Sequence, residues 1–254
     1  MWFRSITISA FLALTSAQSI PSISSGCLTT LAGIASAAPC LNPSPLVQIF
    51  VTGSNSSLVT PIDNWLKGLC ATGPCSNSTL AAITTNLTGG CSTELRALGL
   101  QNLTTALVQQ DYPALRNAAC LNDNNNGTLC VTETLKNVES VQGPVTISTV
   151  SSWLTNGIPQ SLLTSNISCT NCVKQTYNVI SSQAPTLLAS TTSTSLRNTC
   201  GASFIDGQPA TGISESASQA SPSPSPSARS GALTLRLPQS GALVLISSAF
   251  AFLV

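Results

Sequence analysis

The sequence has 254 residues, 9 Lys and Arg against 8 Asp and Glu, 10 Cys, no His, 7% charged and 4% aromatic residues. A net charge of +1 and few aromatic rings offer neither a basic surface for phosphate backbones nor stacking platforms for bases, which excludes nucleic acid as a partner. Without imidazole there is no Ser-His-Asp or Cys-His arrangement and no His metal ligand, and no side chain titrates between about pH 5 and 8 at its ordinary pKa.

Residues 1–17 open with Arg4, run through the apolar stretch Ile6 to Leu14 and reach the small residues Thr15, Ser16 and Ala17. A charged start, a short apolar run and a small-x-small site predict a secretory signal peptide cut after Ala17. The apolar run falls well short of the ~20 residues that span hydrocarbon. A Cys-rich extracellular domain is expected over 18–211.

Within it, apolar residues recur with helical spacing. The clearest window is Thr60 to Cys70, where Thr60 can cap, Pro61 suits the first helical position and Ile62, Trp65, Leu66 and Leu69 share one face. Leu80, Ile83 and Leu87 form a second stripe, which Gly89 and Gly90 would end. A third runs from Ser168 to Ser182 with Cys169, Cys172, Val173, Thr176, Tyr177 and Ile180 on one side. Further helices are predicted over Leu28–Ala37, Leu95–Gln110, Pro113–Cys120, Thr132–Val141 and Ile147–Asn156. The expected class is mainly α, a disulfide-stapled bundle of short helices. Trp65 and Trp153 read as core residues. VTPIDNWLKGL around Trp65 echoes VTISTVSSWLTNGI around Trp153, which raises two related halves, 27–110 and 111–205, as an option. With five cysteines in each half and all paired, at least one bond would have to join them.

The cysteines are Cys27, Cys40, Cys70, Cys75, Cys91, Cys120, Cys130, Cys169, Cys172 and Cys200. An even number behind a signal peptide predicts disulfides throughout, although ten cysteines allow about 945 pairings. Cys120 and Cys130 flank an Asn-rich turn and are expected partners. Cys70 with Cys75, and Cys169 with Cys172, could close short loops, but helical spacing favours separate partners for each. The C-x-x-C at Cys169 to Cys172 lacks the charge, the βαβ setting and the second Cys pair that redox or zinc chemistry would need.

Counted from Asn122, the residues Asn122, Asn124, Asn126, Gly127 and Glu133 fall at the ligand and turn positions of an EF-hand loop. Only Glu133 would bring charge, so a hairpin turn near residues 120–131 is the reading adopted and no metal or cofactor is expected. N-x-S/T sequons stand at Asn55, Asn77, Asn86, Asn102, Asn126 and Asn166, predicting N-glycans on solvent-facing positions.

The carboxylates Asp63, Glu94, Asp111, Asp123, Glu133, Glu139, Asp206 and Glu215 fit no hydrolase motif, and no S-x-x-K or G-x-S-x-G occurs. No catalytic residue is assigned and the chain reads as a non-enzyme. Residues 212–230 contain SPSPSPS and read as an extended stalk. Behind it, the small triplet Ser230, Gly231 and Ala232, a polar spacer and the apolar tail Gly241 to Val254 predict a GPI-attachment signal over 231–254, with the lipid on Ser230.

The Cys spacing, the WL motifs, the CLNDNNNGTLCV turn and the SPSPSPSARSGA tail together resemble fungal, basidiomycete-type secreted Cys-rich GPI-anchored proteins with a domain of unknown function. The resemblance covers about 27–205 plus the anchor and implies no catalytic residues. It implies a protein on the outer face of the plasma membrane or in the cell wall, with the GPI glycolipid and wall glucan as partners. The expected role is structural, adhesive or shielding. An alternative is a module for sterols, fatty acids or another apolar ligand, since the composition resembles elicitins although the Cys spacing does not. A hydrolase of wall polysaccharide ranks below both.

Overall fold

The computed structural model describes residues 24–46, 56–97 and 100–219. The predicted signal peptide (1–17), Asn55, the SPSPSPS run, Ser230 and the segment 231–254 lie outside the described residues.

The fold is mainly α-helical, stapled by disulfides. Helices α1 (Ser25–Ala37), α2 (Val59–Ala71), α3 (Asn77–Gly90), α4 (Ser92–Ala97) and α5 (Thr105–Ala119) precede a hairpin of β1 (Leu121–Asp123) and β2 (Thr128–Leu129). Then come α6 (Cys130–Gln142), α7 (Ile147–Asn156), the single turn α8 (Ser165–Ser168), α9 (Asn171–Gln183) and α10 (Thr192–Cys200). A last strand, β3 (Ile213–Glu215), returns to pair antiparallel with β1, giving the order β2-β1-β3.

With so few charges available, hydroxyls start the helices. Ser24, Ser76, Thr104, Thr146 and Thr170 each accept from a backbone N–H three residues on, opening α1, α3, α5, α7 and α9. Each such cap is worth about 1 kcal/mol over Ala. Helix α2 departs from the expected start: Leu58 flanks it without a side-chain bond, and Ser57 Oγ accepts from Val59 N. Thr60 and Pro61 therefore sit inside the first turn, where a missing N–H still leaves no bond unmade. The predicted helices over Leu95–Gln110 and Pro113–Cys120 are replaced by α4 and a continuous α5 that contains Pro113. A proline inside a helix costs about 3 kcal/mol, which the burial of Ala114 and Ala118 against α9 offsets. The predicted Ser168–Ser182 helix divides into α8 and α9, so Cys169 falls between them and Cys172 within α9.

Helix α3 ends at Gly89 and Gly90 as expected, but neither takes the positive φ of a capping glycine. A Cβ at Gly90 would overlap the Thr30 side chain of α1. Glycine there permits close approach of two helices. Gly90→Ala is expected to destabilise the domain by about 1–3 kcal/mol, the usual cost of overpacking, with partial rescue by Thr30→Ala. Urea unfolding of the two variants checks it.

Five disulfides hold the elements: Cys27–Cys91, Cys40–Cys75, Cys70–Cys120, Cys130–Cys172 and Cys169–Cys200. The expected Cys120–Cys130 pair is not formed. The hairpin register pairs Asn122 with Leu129 and Asp123 with Thr128, so its extension sets Cys120 opposite Val131, not Cys130. Cys120 closes α5 and Cys130 opens α6, and each sulfur joins a different core. The closely spaced cysteines do take separate partners. Residues 27–110 hold two nested bonds, 111–205 hold two interlaced ones, and Cys70–Cys120 joins the stretches.

The buried apolar residues divide into four clusters rather than one mass. Leu66, Leu69, Val138, Val145 and Trp153, with Trp65 at the margin, surround Cys70 and Cys120. Ala114, Ala118, Ile180, Leu187 and Phe204 surround Cys130 and Cys172, with Cys169 and Cys200 against them. Ile34, Leu80 and Ile83 pack on Cys40 and Cys75, and Leu95 on Cys27 and Cys91. Each cluster thus holds at least one disulfide, and the cluster around α9 holds two, as small cores with limited apolar area require.

Candidate functional site

Catalysis by carboxylates needs two of them aimed at one space. Here each is committed elsewhere or stands alone. Asp63 accepts from Lys67 Nζ at 2.7 Å and Thr132 Oγ1 at 2.8 Å. Burial raises its pKa, but these bonds and the lysine charge outweigh it and hold the group below its ordinary value. Glu94 accepts from Ser24 N at 2.8 Å, and that N–H keeps its pKa low. Glu139 closes the start of α7 by accepting from Val145 N and Ser57 Oγ. Asp206 accepts from Gln208 N and pairs with Lys174 at 3.0 Å, which together lower its pKa.

Asp111 is the exception. It is 3% exposed in α5, and among the described residues neither carboxyl oxygen has a hydrogen-bond partner. Burial alone pushes its pKa above the ordinary 3.8. The folded chain therefore holds this proton more tightly than the unfolded chain does. The penalty of ionising it is absent below the unfolded pKa, grows as pH rises towards the folded pKa and is constant above it. Asp111→Asn, which cannot ionise, is expected to be the more stable protein at pH 7, by a margin that disappears as pH falls below about 3.8. Urea midpoints of both proteins from pH 3 to 8 would test the convergence.

The Asn-rich turn is filled by its own side chains. Asp123 Oδ1 accepts from Asn125 N and Nδ2, both at 2.8 Å, and Asn126 Nδ2 bridges Asp123 Oδ2 and Glu133 Oε2 at 3.3 Å each. Gly127 takes φ +66°, as the turn demands. Asn124 turns outward instead: its N–H donates to Gly212 O at 2.9 Å, and its Oδ1 accepts from Ser214 Oγ at 2.6 Å. The residues that could be compared with calcium ligands hold the hairpin and receive strand β3.

That strand corrects the expected domain boundary, because the ordered fold continues beyond 211 into the segment assigned to the stalk. Past β3, Ser216 N donates to Cys120 O at 3.0 Å and Ser218 N to Cys70 O at 2.8 Å. Arg116, 4% exposed, completes the clamp by donating from Nη2 to Thr72 O, Ser218 O and, more distantly, Leu69 O. It meets carbonyls at the C-terminal end of α2, where a cation is favoured. Burial raises the pKa of nearby Glu215 while the Arg116 charge opposes the rise. Neither Arg116 nor β3 was singled out by sequence; the alternation of Ile213, Ser214 and Glu215 is too short a signal.

Cys27, Cys91 and Glu94 lie close enough to suggest a metal site, but both sulfurs are consumed in a disulfide. Residues 37–209 match the family described as a domain of unknown function, DUF7729. The chain belongs to that family. No characterised protein and no solved structure matches it. The matched stretch of the DUF7729 chain holds α2 to α10 and both ends of every disulfide but Cys27–Cys91, so α1 and β3 are joined to it from outside its limits.

All five disulfides of this DUF7729 chain belong to a protein matured in an oxidising compartment outside the cytosol. Among the described residues no helix is long and apolar enough to cross a membrane. Asn77, Asn86, Asn102, Asn126 and Asn166 are all exposed. Two hollows of about 250 and 380 Å³ open on the seam between α1 and α3. Both are open to solvent rather than enclosed.

Proposed function

We propose that this DUF7729 chain is the ectodomain of a fungal GPI-anchored glycoprotein on the outer plasma membrane or in the cell wall, with a structural, adhesive or shielding role and no catalysis. The observation that carries the reading is the exposure of every described sequon asparagine, spread over α3, the α4–α5 connection, the hairpin and α8. A chain with 7% charged residues gains surface hydration from sugars placed that way. The individual commitments of the carboxylates support a scaffold rather than a hydrolase. The stretches 1–17 and 231–254 supply the export and attachment signals in this reading.

Phosphatidylinositol-specific phospholipase C applied to intact cells is expected to release the chain, glycosylated and without free thiols. Retention in the cytosol with ten reduced cysteines would overturn the proposal, and a stoichiometric co-purifying sterol or fatty acid would replace the structural role by a carrier one.

A further inference from the structure

Helices α1 and α3 contain no charged residue, and their outer seam opens into two adjoining hollows. Ile34, Ala37, Thr79 and Ala82 line the smaller one, and Thr30, Gly33, Thr85 and Gly89 the larger. Asn86 lines both, and no other sequon asparagine lines either. The larger hollow has a bare floor that the protein's own packing does not require. A Cβ added at Gly33 or Gly89 meets no atom within 4 Å, and neither residue has positive φ. Glycine within a helix costs about 1 kcal/mol relative to Ala, so these two forgo stability without relieving a contact, unlike Gly90 against Thr30.

We propose that the seam is the seat of the N-glycan on Asn86, whose first sugars lie in the two hollows and brace α1 against α3. This rests on the export reading above. A pyranose ring offers a face of C–H bonds and a rim of hydroxyls; the seam offers methyl groups from Ile34, Ala37 and Ala82 beside hydroxyls of Thr30, Thr79 and Thr85. The attachment residue itself lines both hollows, so docking is intramolecular and needs little intrinsic affinity. A brace there matters because α1 precedes all but the first residue of the matched family stretch and is fixed covalently only through Cys27.

The test uses the full chain secreted from a glycosylating host, with glycopeptide mass spectrometry and amide hydrogen exchange. Peptide N-glycosidase treatment of the folded protein is expected to speed exchange in Ser25–Ala37 roughly five-fold, the effect of a small loss of local stability. Asn86→Gln should reproduce this, and Asn77→Gln and Asn166→Gln should not. Gly33→Leu, which fills the larger hollow, should make exchange in α1 less sensitive to the enzyme. Occupied Asn86 with unchanged exchange on sugar removal overturns the proposal, as does an equal response to loss of any sequon. Bare Asn86 beside occupied neighbours overturns it while leaving the export reading intact; a chain bare at every sequon with free thiols removes both.

Discussion

Replacing Cys70 and Cys120 together by Ala is expected to lower the thermal midpoint by about 8–16 °C. The bond closes a separation of 50 residues, for which loop entropy alone gives about 4 kcal/mol, and a domain of this size shifts by about 2–4 °C per kcal/mol. Both sulfurs lie inside the α2–α6 cluster, with Cys120 at 0% exposure. Their carbonyls also receive Ser216 and Ser218, so the variant should loosen the last strand as well. Removing Cys169–Cys200, whose sulfurs are half-buried and 31 residues apart, should cost less. Calorimetry of the secreted, glycosylated protein gives both numbers, and a shift below about 3 °C for the central pair would show that the bond adds little to the packing around it.

Arg116→Met is the second large effect, with an expected loss of about 3 kcal/mol. The replacement keeps most of the stem but strips Thr72 O and Ser218 O of a charged donor, and hydrogen bonds to charged groups are worth about 1.5–3 kcal/mol each. It also leaves Glu215 without the positive charge that offsets its burial, so the variant should lose further stability as pH rises through the raised pKa of that carboxyl. Urea unfolding measures the loss, and hydrogen exchange over residues 213–218 should quicken in parallel. If exchange there stays unchanged, Arg116 does not hold the strand. Combined with loss of Cys70–Cys120, the effects should be less than additive, because both act on the end of α2 and on the same last strand.

How far the sequence could be read depended on whether a signal was local. Ile147–Asn156 was legible to the residue because Thr146 caps it and Gly157, at φ +80°, follows it. The α2 stripe was legible because Trp65, Leu66 and Leu69 do face one cluster. Pro113 misled, since its local cost is overridden by burial of Ala114 and Ala118, which only the position of α9 reveals. The pairing of Cys120 was illegible for a related reason: Cys120 closes α5 and Cys130 opens α6, so the packing of those helices decides which core each sulfur enters. Asp111 looked like any helical acid until its surroundings were known. The sequons needed no tertiary knowledge, since an asparagine at a turn or a helix edge is exposed by default, whereas the seam beside Asn86 exists only once two helices meet.

Ser218 is gripped on both sides of its peptide, by Cys70 through its N–H and by Arg116 through its carbonyl, and Ser216 is gripped by Cys120. Any tension applied along the following Ser- and Pro-rich run would therefore arrive at a covalently closed ring joining the two largest parts of the chain, not at a helix end that could unwind turn by turn. A pull in that direction would load the hydrogen bonds of Ser216 and Ser218 before it reached any helix end.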